Sequence, residues 1–171
     1  MKIGRVIHGP DGNPSKPCRL IVATSDSQHH IFPTASEVAG REIAGSWVRF
    51  TPCTLTGAAL RWQWLPEPNP DGSWSGTVYK ASYLSCGEMN LTVAVPDART
   101  VFVARMPPDA VLGDIAKRAS RDTLARIATR MKGAEVRFWP RADDAFFAKN
   151  IVLNPRQWPV REEPPRLRLV A

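Results

Sequence analysis

Short apolar runs, many alternating with polar residues, recur along the chain between turns rich in Gly, Pro, Asp and Ser. Alternation of period two predicts half-buried strands rather than helices. Residues 19–23 and 30–32 flank the polar connector Thr24-Ser25-Asp26-Ser27-Gln28 and read as a hairpin. A glycine-led strand over residues 2–7 precedes it. A short helix or turn over 35–44 and strands over 46–52 and 59–65 follow. In the last of these Leu60, Trp62 and Trp64 are expected on one face, with Arg61 and Gln63 on the other. A similar order returns at Gly76-Thr77-Val78-Tyr79, residues 91–95, 100–103 and 135–140, with a closing strand over 145–153. A repeated strand order predicts a repeated small domain.

Only one region breaks the strand rhythm. Over residues 109–132 the period becomes helical, with Leu112, Ile115, Ala116 and Ala119 in one stripe. Leu124, Ile127, Ala128 and Met131 form a second stripe about a third of a turn out of phase. Two short helices broken near 120–122 are expected, with Ser120 or Asp122 as the N-cap. Residues 66–75, with three prolines, an Asn and an Asp-Gly pair, read as a connector. The expected organisation is therefore a barrel over residues 1–66, a linker over 67–75 and a second barrel over 76–154. The second carries the helical insertion 109–132, and a Pro/Arg-rich tail occupies 155–171.

Composition narrows the function classes. A 171-residue chain with 43% hydrophobic residues can bury a core or two small ones. The net charge of +7 favours an anionic partner. Cys18, Cys53 and Cys86 lie far apart, with no CxxC pair, so neither a zinc site nor a disulfide frame is implied. No apolar run is long enough to span a membrane and no signal-peptide pattern opens the chain, so a cytoplasmic protein is expected. Residues 117–141 hold eight basic groups against Asp122 and Glu135, the sharpest concentration of charge. Arg outnumbers Lys there, which suits phosphate or carboxylate recognition. No nucleophile elbow, phosphate-binding loop or His-Glu-x-x-His motif occurs, so no enzyme activity, cofactor or metal is expected.

The first unit contains Gly4-x-Val6, then Lys16-Pro17-Cys18-Arg19-Leu20-Ile21. Asp26, Ile31-Phe32, Ala35-Ser36-Glu37-Val38 and Gly45-x-x-Val48-x-Phe50 follow. In the second, Gly76-Thr77-Val78, Thr100-Val101-Phe102-Val103, Gly133-x-x-Val136-x-Phe138 and Ala148-Lys149-Asn150-Ile151 take the same order. This resembles the cold-shock domain family. The resemblance implies a mainly β chain of tandem OB-type barrels that bind single-stranded nucleic acid by stacking bases on aromatic rings. The second-strand ring positions are here Cys18 and Leu20, so much of the stacking platform is missing.

On this reading the candidate nucleic-acid contacts are Lys16, Arg19, His30, Phe32, Phe102 and Arg105, with Lys117, Arg118, Arg121, Arg126 and Arg130 on the helices. Phe32 and Phe102 match the stacking phenylalanine, and either could instead be barrel core. His29 and His30 are read as exposed turn residues. Trp62 and Trp64 are either packing or a relocated stacking surface. The expected partner is single-stranded nucleic acid in a regulator of transcription or translation, or an acidic protein bound by an adaptor whose barrels have lost stacking.

Overall fold

The structure, a computed structural model, describes residues 1–9, 18–96 and 100–154. Lys16 and the Pro/Arg tail lie outside the described residues. The strands fall into two five-stranded antiparallel sheets. The first holds β1 (Lys2–His8), β2 (Leu20–Ala23), β3 (Gln28–Ile31), β4 (Trp47–Pro52) and β5 (Ala59–Leu65), in the order β3-β2-β1-β4-β5. The second holds β6 (Trp74–Tyr83), β7 (Met89–Ala94), β8 (Val101–Met106), β9 (Glu135–Pro140) and β10 (Ala148–Leu153), in the order β10-β9-β6-β7-β8. Each sheet curls until its edges meet through a parallel bridge, His30 to Ala58 in the first and Val103 to Phe147 in the second. Closure hides the sheet edges. The chain is thus mainly β, two OB-like barrels in tandem.

The repetition holds residue by residue. Val6 pairs with Val22, and Val78 with Val93. Gly4 pairs with Val48, and Gly76 with Val136. A Cβ on Gly4 would lie 2.5 Å from Val22 Cγ1, and one on Gly76 would lie 2.5 Å from Val93 Cγ1. Only glycine lets the strands approach so closely where each barrel turns its corner. The bulge that follows falls between Val6 and His8, and between Val78 and Lys80. Alternation then buries Val6, Leu20, Val22, Ile31, Val48 and Phe50 in one core, and Val78, Leu91, Val93, Phe102, Val136 and Phe138 in the other. Each such side chain contributes about 1.5–3 kcal/mol by leaving water.

The connection between the third and fourth strand of each barrel carries the helices. In the first it is α1 (Ala35–Val38), closed by a Thr34–Glu37 capping box. In the second it is α2 (Pro108–Leu112), α3 (Asp114–Arg118) and α4 (Arg121–Arg130). The region contains three helices, not the expected two. Gly113, at φ 58°, ψ −135°, breaks the first stripe. Ser120 caps α4 by accepting from the Thr123 amide at 3.2 Å. Leu124 and Ala128 of α4 are buried.

Three other expectations change. Trp74 and Ser75 belong to β6, and Trp74 is buried in the second core. The closing strand starts at Ala148, not at residue 145. In β5 the ladder slips between the pairs Arg49–Gln63 and Thr51–Leu60, with Arg61 at φ 47°. That bulge turns Leu60 to solvent while Trp62 and Trp64 pack against the first core.

The outer face of β1, β4 and β5 docks on the second barrel. Ile3 and Trp47 pack against the second core, and Leu65 lies within it. Trp47 meets Trp74 edge to face at 5.9 Å. Arg49, buried, donates to the Val101 carbonyl at 2.7 Å and to Gln63 Oε1 at 3.0 Å. Its guanidinium carbon lies 4.7 Å from the Phe102 ring centroid. Thr100 Oγ1 donates to the same Gln63 oxygen at 2.6 Å. Burial lowers the Arg49 pKa, opposed by the charge of Asp144.

Candidate nucleic-acid interface

Docking on the β1–β4–β5 side leaves the outer face of β2 and β3 open. In that hairpin Leu20 pairs with Ile31 and both point inward. Strand alternation therefore turns Arg19, Ile21, His30 and Phe32 to the outer face. Ile21 pairs with His30, and Arg19 and Phe32 flank the last pair of the ladder, Leu20–Ile31. Phe32 is 56% exposed, the most exposed phenylalanine among the described residues. The Arg19 guanidinium lies 3.0 Å from His30 Nε2 and 3.2 Å from Nδ1, so the two side chains are in polar contact. The exposed Ile7, at the bulge of β1, borders the same face. In OB-folds generally the face of the second and third strands is one that receives oligonucleotides. The structure thus brings Arg19 and His30 into contact and places Phe32 at the end of the same hairpin.

The second barrel is different. By the shared register Asn90, Thr92, Val103 and Arg105 occupy the positions of Arg19, Ile21, His30 and Phe32. Arg105 is exposed there in place of the phenylalanine, and the exposed Tyr79 takes the bordering position that Ile7 holds in the first barrel. Phe102 is not a surface ring. It has no exposed area, packs on Phe138 at 4.8 Å and lies beneath Arg49. Its expected stacking role is corrected to core packing, because β8 points it inward opposite Val93. Its counterpart in the first barrel is His29, not Phe32: Val22 pairs with His29 as Val93 pairs with Phe102.

His29 also overturns the reading of paired turn histidines, since both lie in β3 and His29 is buried. Its ring is 4.9 Å from that of Phe50, and its Nε2 is 2.8 Å from Ser27 Oγ. Trp62 and Trp64 meet edge to face at 5.2 Å against the first core, which selects packing over stacking for that pair.

The helical arginines form a separate surface. Lys117 is paired with Asp114 at 2.8 Å, and Arg121 donates to the Ser85 carbonyl at 2.7 Å. Arg118, Arg126 and Arg130 are exposed, and no carboxylate lies within ion-pair distance of them among the described residues. Arg126 and Arg130 stand one turn apart, a like-charge pair that costs a few tenths of a kcal/mol without an anion.

Other charges are already compensated. The Lys2 ammonium, 2.7 Å from Asp26, holds that carboxyl well below its ordinary range, with help from the Thr24 and Ser27 hydroxyls. Arg141 pushes Asp143 down to about 2. Asp144 pairs with the Met1 ammonium at 2.9 Å and accepts from the Phe146 amide, so the Asp143–Asp144 pair is a turn. Among the described residues no three His, Cys, Asp or Glu side chains gather as metal ligands do. Within them no helix is long and apolar enough to cross a membrane.

No protein-family model and no curated protein matches the chain. Among solved structures, the crystal structure of the tetrameric p202 HIN2 aligns with 11% identity and a TM-score of 0.26, covering 86% of this chain and 85% of that one. So loose a superposition leaves the architecture resting on strand order, register and barrel closure.

Proposed function

We propose that this protein is a non-catalytic, cold-shock-like binder of single-stranded nucleic acid that acts as a regulator of transcription or translation. The observation that carries the reading is the exposed Phe32 ring at the end of the open β2–β3 hairpin, where Arg19 and His30 are in contact with each other. One ring gives one stacking position, worth about 1–3 kcal/mol per base. The rest of the affinity comes from phosphate contacts by Arg19, Lys16 and the arginines of α3 and α4. Binding is therefore weakly sequence-selective and steeply dependent on salt.

Fluorescence anisotropy with labelled single-stranded RNA and DNA at low salt tests this. Phe32→Ala should weaken binding roughly 5- to 150-fold, the stacking range converted at tenfold per 1.4 kcal/mol. Arg19→Ala should flatten the slope of log affinity against log salt by about 0.7, the share of one phosphate on a single strand. Absence of any binding by the unaltered protein ends the reading.

A second reading, an adaptor for an acidic protein, draws on the aromatic-free arginine surface of α3 and α4. A partner that co-purifies after nuclease treatment and is released by Arg126→Glu would favour it.

A further inference from the structure

The β2–β3 hairpin ends at a turn, Thr24 to Ser27, that reaches the second barrel. Between the two lies a groove of about 290 Å³, with Lys2, Thr24 and Ser25 on one wall and Trp139, Arg141 and Lys149 on the other. Its size is near the lower end for small-molecule sites, close to one nucleotide unit. Trp139 is half-buried, and its indole N–H donates to the Asp71 carbonyl at 3.3 Å, which fixes the ring before any ligand arrives. Lys2 and Arg141 are committed to Asp26 and Asp143. Lys149 is exposed and has no carboxylate partner among the described residues, and the Ser25 hydroxyl is exposed beside the groove. A fixed indole, a free ammonium and a hydroxyl together suit a nucleobase with its phosphate.

We infer that this groove is a second stacking position, in which Trp139 receives a base and Lys149 the adjoining phosphate of the strand lying on β2–β3. The inference rests on the function proposed above. The geometry supports one continuous path. From Arg19 and Phe32 to the turn at Thr24 and Ser25 the hairpin runs some five residues, about 16 Å at 3.3 Å each. A strand laid along it arrives at the groove mouth. The second barrel thus contributes a ring to this path at the β9–β10 end, away from the face where Arg105 replaces the phenylalanine.

Anisotropy titrations of homopolymeric oligonucleotides of about 4 and about 12 residues, and of a nucleoside monophosphate, separate the two claims. Phe32→Ala is expected to weaken both oligonucleotides. Trp139→Ala and Lys149→Gln should each weaken the longer one about 5- to 10-fold and leave the shorter one unchanged. Lys149→Gln removes an exposed side chain, so its effect does not depend on how Trp139→Ala folds. Wild-type affinity of Lys149→Gln for the longer strand, with Phe32→Ala still defective, would overturn the groove and leave the first interface standing. Saturable binding of the monophosphate alone would overturn the strand path in favour of a free nucleotide. No binding of either oligonucleotide by the unaltered protein would overturn both claims.

Discussion

At the scale of single side chains the two barrels differ most instructively at His29. It occupies the core position that Phe102 fills in the second barrel, and its ring contacts Phe50 as Phe102 contacts Phe138. Its Nε2 is served by Ser27, but Nδ1 is buried without a partner among the described residues. An unsatisfied buried polar atom costs about 1–3 kcal/mol, while the Ser27 bond returns about 1. Phenylalanine fits the same tilted geometry in the sister barrel. His29→Phe should therefore stabilise the protein by about 1 kcal/mol, raising the melting temperature by about 2–4 °C in calorimetry. A lower melting temperature would show that the Ser27 contact or the cavity shape outweighs the orphaned nitrogen. Gly4 and Gly76 carry the opposite lesson: identical residues at identical corners, each excluding a Cβ by the same valine contact.

At the scale of elements, the strands were legible because each barrel has one wet and one dry face, and period two survives in Val6, Leu20–Val22 and Val136–Phe138. Their duplication was legible for the same reason. What escaped was register. The bulge at Arg61 shifts the outward set by one, so Leu60 parted from the tryptophans it was expected to join. Phe32 and Phe102 looked equivalent because each follows a β-branched residue, yet pairing across β2 and β7 sets one outward and the other inward. Of the expected contacts, the Arg19–His30–Phe32 group was readable from the hairpin, whereas the Trp139 groove was not, because it joins segments over a hundred residues apart. The helices were legible except at Gly113, whose positive φ ends a stripe that hydrophobic spacing alone would continue. A ten-residue helix such as α4 is marginal by itself and depends on its cap and on Leu124 and Ala128. Ser120→Ala should cost about 1 kcal/mol. Chemical denaturation would read that loss, and an unchanged midpoint would show that packing alone holds α4.

At the scale of the whole molecule the question is what makes two small barrels act as one body. The interface is centred on Arg49, which reaches from β4 to the Val101 carbonyl and the face of Phe102 while sharing Gln63 with Thr100. Hydrogen bonds made by a charged donor contribute about 1.5–3 kcal/mol, and a desolvated cation over a ring about 2, though the terms do not add. Arg49→Ala removes both and leaves the Val101 carbonyl without that donor, so a loss of about 3 kcal/mol is expected. The apolar contacts of Ile3, Trp47 and Leu65 remain, and each barrel keeps its own core. The expected consequence is uncoupling rather than collapse. Thermal unfolding should split into two transitions, and the radius of gyration from small-angle scattering should rise. Because the groove at Trp139 has one wall from each barrel, the same variant should bind the longer oligonucleotide as poorly as Lys149→Gln does, yet hold the shorter one normally. A single transition at the wild-type temperature would mean that Trp47 against Trp74 suffices to couple the barrels, and that Arg49 is a tolerated buried charge rather than their clamp.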